Sequence, residues 1–195
     1  NKTNVIGYLK PIGFEYIRDN DVFKDLYKWR KKNINFFFKQ ERINLNSVKK
    51  FLINNYIYSE SNILFFILDD KKKRIGHIGI SNIRKNNVDL DNLIRGESGG
   101  GKEIIYNAEK TLLSWIFSNF NVKKISGRIR SDNYIALNIH QNFGFKITKS
   151  RYLKIVENNN LIKHIFTNQK GSNLDYKMCY IRLYKDDFKK NCYFN

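Results

Sequence analysis

Proline, cysteine and long apolar runs are scarce in this chain of 195 residues. It contains 1 proline and 2 cysteines, Cys179 and Cys192, and its longest apolar stretch, Ile63 to Leu68, has the length of a strand. The composition therefore excludes collagen-like and proline-rich designs, a disulfide framework and a zinc site built from cysteines alone. No run reaches the roughly 18 apolar residues that a transmembrane helix needs. We expect reduced thiols and a cytoplasmic location, since no signal peptide is recognisable.

Acidic residues are also scarce, because 18 Asp and Glu stand against 36 Lys and Arg, which gives a net charge of +18. Hydrophobic residues make up 42% and aromatic residues 15%, enough for a packed core, so a disordered basic tail is excluded. The lysines form only short runs spread along the chain, without an arginine-rich arm. This charge permits a nucleic acid, an anionic membrane or a phosphorylated small molecule as partner without selecting one.

Hydrophobic periodicity predicts one α/β (α+β) domain over residues 1–195. Asp19 or Asp21 is predicted to cap a first helix ending near residue 32, and Asn46 or Ser47 to open a second. The strongest amphipathic helix is predicted over 103–120, and another, capped by Ser131 or Asp132, over 134–142. Strands are predicted at residues 5–9, 63–69, 75–83, 88–94, 124–130, 145–156, 161–167 and 176–183.

The most unusual segment lies between a predicted strand and the strongest helix and reads Arg95-Gly96-Glu97-Ser98-Gly99-Gly100-Gly101-Lys102. Glycines let a backbone approach an anion closely, and the N–H groups and dipole of a helix start attract negative charge. The spacing matches neither a Walker loop nor a dinucleotide-binding fingerprint. The segment predicts a phosphate site, and the alternative is a flexible surface loop, which most glycine-rich segments form.

The span Ile75 to Phe145 resembles the core of the GNAT (Gcn5-related) N-acetyltransferase superfamily. In that family an Arg/Gln-x-x-Gly-x-Gly/Ala loop binds the acetyl-CoA pyrophosphate, and Gly99 and Gly101 match its two small positions. Gly96 stands in the Arg/Gln position, and Arg95 lies one residue earlier. The family's second motif, Asn-x-x-Ala/Ser followed by Gly-Phe, is matched by Asn133, Ala136, His140, Asn142, Phe143, Gly144 and Phe145.

A third similarity, to the Leu-x-x-Trp-Arg start of RimJ/RimL-like and sugar-modifying members, lies in Leu26-Tyr27-Lys28-Trp29-Arg30. The resemblance implies a single GNAT-like domain with a mixed, mostly antiparallel central sheet and helices on both faces. The family's fourth and fifth strands, splayed apart, would be residues 88–94 and 124–130. The resemblance also implies acetyl-CoA as cofactor, with a backbone N–H near Leu93 stabilising the oxyanion. The residues expected to bind the cofactor are Leu93, Ile94, Arg95, Gly96, Ser98, Gly99, Gly100, Gly101, Lys102, Asn133 and Ala136.

The resemblance also points to candidates for proton transfer and substrate binding. His140 stands where many relatives carry a tyrosine, and an imidazole both accepts and donates protons near neutrality, so it is the candidate proton donor. Asp91 or Asp89 is the candidate base, and His77 and Arg30 are candidate substrate-binding residues, with Arg30 able to hold a phosphate. A structural role is the alternative for each of these residues, and no metal is expected.

The identity of the acceptor amine rests on charge and on the sugar-modifying resemblance. A protein of +18 favours a negatively charged acceptor, so we expect N-acetylation of an amino-deoxysugar carried on a nucleotide diphosphate in surface-polysaccharide biosynthesis. One alternative is a protein N-terminus or another small amine. The other is a non-catalytic, basic nucleic-acid-binding module, which the apolar setting of Phe36 to Phe38 and of Phe65-Phe66 disfavours. We expect an anionic small-molecule partner, no nucleic acid and no membrane, and a homodimer stays open.

Overall fold

The computed structural model describes residues 5–40, 43–158 and 161–193. The chain divides into two compact units. Unit 1 takes in the described residues before Ile34 together with 43–122, and unit 2 takes in 34–40 together with the described residues from Lys123 onward. Within the described residues, no helix is long and apolar enough to cross a membrane.

The helices and strands alternate along the chain as follows. The helices are α1 (Asn20–Lys32), α2 (Leu45–Leu52), α3 (Ile104–Asn119), α4 (Tyr134–Asn142) and α5 (Lys185–Tyr193). The strands are β1 (Gly7–Pro11), β2 (Lys39–Gln40), β3 (Ile63–Asp69), β4 (Arg74–Arg84), β5 (Asn87–Arg95), β6 (Lys124–Arg130), β7 (Lys146–Asn158), β8 (Leu161–Thr167) and β9 (Lys177–Tyr184). Short 3₁₀ turns occupy Phe14–Tyr16 and Ile34–Phe36, and a π-helical turn, Ile53–Ile57, follows α2.

Unit 1 is built on an antiparallel sheet in the order β1-β3-β4-β5. Six consecutive residues of β3 and six of β4 are buried, which explains their near-continuous apolar sequence. Helix α3 contacts β1 and β3, while α1 packs against α2. The fully buried side chains of this core include Trp29, Phe66, Ile75, Ile78, Leu112 and Ile116.

Strand β5 carries a bulge that sets the shape of the candidate site. His77 lies opposite Ile94 and Gly79 opposite Asp91, so three steps along β5 match two along β4. Asn92, in the extra step, has a φ of 50°, a left-handed conformation that asparagine tolerates better than most residues. The bulge therefore interrupts the regular ladder next to Leu93.

The strands of unit 2 pair antiparallel in the order β6-β9-β7-β8-β2. Ile125, Cys179, Ile181 and Leu183 are buried on one side of these strands. Helix α5 contacts β9, and its Phe188 packs near Phe143, which follows α4.

Most predicted elements are confirmed, and the α/β fold class with its antiparallel strand pairing is confirmed. Two caps were predicted wrongly: α2 begins after Asn44, whose side chain accepts the Ser47 N–H, and α4 begins after Asn133. The predicted strand over 5–9 begins and ends two residues later, because Ile12 and Gly13 lead into a 3₁₀ turn. Helix α5 and strand β2 were not predicted. That residues 1–195 form one domain, with splayed strands and helices on both faces, stays a prediction.

Candidate active site

Three successive glycines before α3 form an open loop. Gly99, Gly100 and Gly101 have φ values of 129°, 64° and 77°, which residues with a side chain rarely adopt. A Cβ added at Gly101 would meet nothing within 4 Å. Within the described part of the chain, no acceptor bonds to the backbone N–H groups of these glycines. The loop therefore presents unused amide donors in a conformation that depends on glycine.

Helix α3 starts without a side-chain cap, directly after this loop. Helices α1, α2 and α4 are capped by Asp19, Asn44 and Asn133, whereas the residue before α3, Glu103, makes no capping hydrogen bond. The first N–H groups of a helix have no intrahelical acceptor, and the helix dipole gives that end a partial positive charge. The start of α3 is thus available to an anion alongside the loop.

Arg95 holds the carbonyl side of the loop. Its Nη2 donates to the carbonyl oxygens of Gly99 and Gly101 at 2.9 and 3.2 Å, and its Nε to that of Glu97 at 3.4 Å. The guanidinium therefore organises the loop backbone and leaves the N–H side of the glycines for a ligand. Ser98 and Lys102, also predicted to bind the cofactor, are exposed on the loop.

The loop is attached to helix α1 through Glu97. Its Oε1 accepts hydrogen bonds from Lys28 Nζ at 2.7 Å and from Trp29 Nε1 at 3.0 Å. These two hydrogen bonds, Lys28 first, lower the pKa of the Glu97 carboxyl. The C-terminal part of α1 and the cofactor loop are therefore held together by one carboxylate.

Gly96 was predicted to bind the cofactor, and its own contacts favour a structural role. Its N–H donates to the Ile75 carbonyl at 2.8 Å, so the amide is already used. A Cβ here would lie 2.2 Å from the Trp29 ring, which fills the space of a side chain. Glycine at this position serves the packing of Trp29 rather than the binding of a phosphate.

His77 was predicted to bind substrate, and its burial and contacts likewise favour a structural role. The residue is 1% exposed, and its Nδ1 lies 2.7 Å from the carbonyl oxygen of Asn92, to which it donates. Burial lowers the pKa of His77 to about 4, so the ring is neutral near pH 7. It supports the bulge in β5, next to Leu93 and the buried Ile94.

Asp91 lies in a polar cluster that sequence reasoning missed. The Tyr56 hydroxyl donates to Asp91 Oδ2 at 3.3 Å and accepts from Asn92 Nδ2 at 2.5 Å. Burial, and next the charge of Asp91, raise the pKa of Tyr56, so its hydroxyl keeps the proton. Tyr56 belongs to the π-helical turn after α2, and such turns are frequent at functional sites. No sequence pattern marked that turn.

Arg30 and Asp89 lie in different settings within unit 1. The Arg30 guanidinium stacks 4.0 Å from the centre of the Phe51 ring, and its charge acts on both Tyr56 and His77. Asp89 accepts hydrogen bonds from Asn82 and Asn87, each at 2.9 Å, at the end of the β4–β5 hairpin. Both carboxylate oxygens of Asp89 are therefore engaged in shaping the hairpin, while those of Asp91 accept from the Asn92 N–H at 2.8 Å and from Tyr56.

The second predicted motif lies in unit 2. Asn133 caps α4 by accepting the Ala136 N–H at 3.4 Å, and both residues are half-buried. His140, in the last turn of α4, is 6% exposed, and its ring lies 5.5 Å from that of Phe145. Gly144 follows with a φ of 96°, as expected for the residue that ends a helix.

Arg130, the last residue of β6, is held within unit 2. Its Nε and Nη2 donate to the two oxygens of Asp132, its Nη1 to the Asn35 carbonyl, and it stacks on Tyr176. Arg128, two residues earlier, is exposed.

A family model described as an acetyltransferase (GNAT) domain matches residues 12–146, well over half of the chain. The chain belongs to the GNAT acetyltransferase family. Members of this family transfer an acetyl group from acetyl-CoA, so this GNAT protein is an N-acetyltransferase with acetyl-CoA as its cofactor. The alternative of a non-catalytic nucleic-acid-binding module is thereby set aside. A comparison with curated protein sequences finds no match to the chain.

Solved structures share the GNAT fold of this chain at low sequence identity. The spermidine N-acetyltransferase of Vibrio cholerae, in complex with CoA and spermine, aligns with a TM-score of 0.69 at 14% identity over 95% of this chain and 99% of that chain. A dodecameric structure of that enzyme aligns with a TM-score of 0.64 at 13% identity, covering 97% and 98%. The Campylobacter jejuni N-acetyltransferase PseH aligns with a TM-score of 0.59 at 15% identity, covering 92% and 99%.

The loop of this GNAT protein fits the diphosphate of acetyl-CoA on two structural grounds. The surface at Gly101 is open where a side chain would stand, and the glycine amides lack acceptors within the described residues. The uncapped start of α3 adds further donors with a favourable dipole.

Proposed function

We propose that this GNAT protein acetylates the primary amine of an amino-deoxysugar carried on a nucleotide diphosphate. The observation that carries the transferase part is the open glycine loop before the uncapped helix α3. The net charge of +18 supports an anionic acceptor, because the field of the protein attracts it and repels a polycation.

The residues of unit 1 that would hold the cofactor are the glycines at 99–101 and the start of α3. For Asn133 and Ala136 of unit 2, cofactor binding stays a prediction. Acetyl-CoA supplies the thioester whose acetyl group is transferred. The amide of Leu93, beside the bulge of β5, is the proposed oxyanion donor, since a backbone dipole fixed by folding needs no reorganisation during reaction.

We assign the role of base to a residue of unit 1 and the role of acid to a residue of unit 2. Asp91 takes the proton of the acceptor ammonium at its carboxylate, and Tyr56 positions that carboxylate through its hydroxyl. His140 supplies a proton from its ring to the leaving sulfur. We expect His140→Phe to lower kcat by about a hundredfold or more while the dissociation constant for CoA stays within about threefold. Equal turnover in the variant would place the proton donor elsewhere.

A second acceptor class is a small cationic amine. Two observations favour it: aligned structures include spermidine N-acetyltransferases, and the candidate base Asp91 is an exposed carboxylate that suits a cation. The overall charge opposes this acceptor. The two acceptor classes therefore differ in the sign of the electrostatic contribution to binding.

Release of the free thiol of CoA distinguishes the acceptors. The assay uses acetyl-CoA with a panel of nucleotide-linked amino sugars, spermidine, spermine and a peptide with a free N-terminus, with Asp91→Asn as the control for acceptor-independent hydrolysis. We expect the highest kcat/KM on a nucleotide-linked amino sugar. A higher value on a polyamine or the peptide would replace the proposed acceptor by the small-amine class.

A further inference from the structure

The sheet of unit 2 concentrates positive charge on one of its sides. Strands β6, β7 and β9 together contain nine Lys or Arg residues, and their one acidic residue is Glu157 near the end of β7. Elsewhere in the chain acidic and basic residues are interspersed, as in the pairs that Asp21, Asp25 and Glu97 form. This concentration was not evident from the linear sequence, because α4 lies between β6 and β7 and because β8 lies between β7 and β9.

Strand register places the cations around one tyrosine. Tyr180 of β9 lies directly opposite Arg128 of β6 on one side and Lys149 of β7 on the other. Residues directly opposite each other in antiparallel strands share a face. Arg182, two residues along β9 from Tyr180, belongs to the same face.

Aromatic rings extend this face across to β8. The ring of Tyr180 stacks against that of Phe166 with a centroid distance of 6.5 Å. The Arg151 guanidinium lies 3.9 Å from the centre of the same Phe166 ring. We define the cationic face as Arg128, Lys149, Arg151 and Arg182 together with Tyr180 and Phe166.

The four cations of this face have unused capacity to bind an anion. Among the described residues, no carboxylate pairs with any of the four. Arg182 donates from Nη1 to the Tyr184 hydroxyl at 3.3 Å, while its Nε is buried and no described residue accepts its hydrogen. Buried donors of this kind normally have a partner, and a guanidinium binds phosphate oxygens in pairs.

Neighbouring cations limit the extent of the cationic face. Lys146 is bound to Asp187 at 3.1 Å, and Arg130 to Asp132, so the positive potential does not continue along the strands. Three strands span about 10 Å, the scale of one nucleotide rather than of a polymer track. A cluster of guanidinium groups beside a half-buried aromatic ring suits phosphates attached to an aromatic base.

We propose that the cationic face of unit 2 binds a nucleoside diphosphate group. This proposal rests on the proposed function, whose acceptor carries such a group. Arg128, Arg182 and Lys149 contact the phosphates, and Tyr180 contacts the base. Arg151 stays stacked on Phe166 and keeps that ring in place.

The test is a calorimetric titration of the full chain, saturated with CoA so that the cofactor site is filled, with uridine, cytidine and guanosine 5′-diphosphates and with inorganic pyrophosphate. We expect at least one nucleotide to bind and Arg128→Gln to weaken it about tenfold. The matched control is Lys154→Gln, an exposed residue on the opposite side of the sheet, with less than a twofold effect. Tyr180→Leu should weaken the binding of the nucleotide but not that of pyrophosphate. Tyr180→Phe, which keeps the ring, should restore the affinity for the nucleotide.

Several outcomes would overturn the proposal. These are no binding of any nucleotide in the presence of CoA, equal losses in Arg128→Gln and Lys154→Gln, or tighter binding of a single-stranded oligonucleotide than of every nucleoside diphosphate. If Arg128→Gln acetylates a nucleotide-linked amino sugar with an unchanged KM, the cationic face is wrong and the proposed function stands. If nucleotides bind as expected but no nucleotide-linked amine is acetylated, the proposed function fails instead.

Discussion

Single glycines in the loop before α3 have two different physical roles. Gly99–Gly101 adopt positive φ values and leave their amides open. At Gly96, by contrast, the Trp29 ring takes the space of a side chain. The resemblance to the family motif assigned both kinds of glycine to the cofactor. Motif position alone does not distinguish a glycine that a ligand needs from one that a neighbouring ring needs.

Gly101 provides a charge-specific test of the loop. Gly101→Asp and Gly101→Asn place side chains of equal size at a φ of 77°, which both residues tolerate. We expect Gly101→Asp to raise the dissociation constant for CoA at least about tenfold by repelling phosphate, and Gly101→Asn to change it by less than about threefold. Equilibrium titration with CoA measures both. Equal losses in the two variants would indicate crowding rather than an anion site.

His77 makes stability depend on pH. Because burial lowers the pKa of His77 to about 4, the folded protein keeps this ring neutral while the unfolded chain takes up a proton below about pH 6.5. The free energy of unfolding should therefore fall as pH drops from about 6.5 to 4, by up to about 1.4 kcal/mol per pH unit from this residue. Burial also lowers the pKa of His164, which acts in the same direction.

Urea denaturation at a series of pH values measures this slope. His77→Gln keeps an N–H donor toward the Asn92 carbonyl but does not titrate, so its slope should be smaller than that of the unmodified protein. The same slope in both proteins would mean that His77 is protonated in the folded state.

At the scale of an element, helix α1 links the cofactor loop to the polar cluster of Tyr56, Asp91 and Asn92 in unit 1. Three consecutive residues do this: Lys28 and Trp29 bind Glu97 of the loop, and Arg30 stacks on Phe51 and acts electrostatically on Tyr56. A helix places neighbouring residues about 100° apart, so consecutive side chains reach different partners.

Trp29 tests the link between α1 and the loop. Trp29→Phe removes the indole N–H donor to Glu97 and opens space beside Gly96, so the loop loses a constraint. We expect the dissociation constant for CoA to rise by about three- to tenfold. Lys28→Gln removes the more exposed partner of Glu97 and should change the dissociation constant for CoA by less than about twofold. A larger effect of Lys28→Gln would show that the charge of Lys28, rather than the indole, holds the loop.

Local signals predicted elements well where they were strong, and tertiary contacts decided the rest. Alternating or continuous apolar runs and the Gly144 stop marked β3, β6 and α4. Nothing local distinguished Asn44 from Asn46 as a cap, and the polar segment Lys185–Tyr193 forms α5 because Phe188 packs in unit 2. Tyr56 was missed because its role comes from Asp91 and Asn92, 35 and 36 residues later.

At the scale of the whole molecule, charge determines which acceptors approach. The +18 net charge is a property of the full sequence, and part of it is concentrated in the sheet of unit 2. Long-range attraction of this kind raises association rates and is screened by salt. It affects the approach of the acceptor and leaves the chemical step unchanged.

Salt dependence therefore reports the sign of the acceptor charge. For a nucleotide-linked amine, we expect kcat/KM to fall several-fold between about 50 and 200 mM NaCl, with kcat unchanged. For spermidine, screening relieves repulsion, so kcat/KM should rise over the same range. A fall for spermidine would mean that local carboxylates, such as Asp91, outweigh the overall field.

The proposed transferase activity depends on the amides of Gly99–Gly101 and the start of α3 holding the diphosphate of acetyl-CoA. A crystal structure of the protein with CoA tests this most directly. We expect diphosphate oxygens within about 3.2 Å of those backbone nitrogens, with Arg95 still on the loop carbonyls. A diphosphate bound elsewhere, with the glycine amides unused, would contradict it.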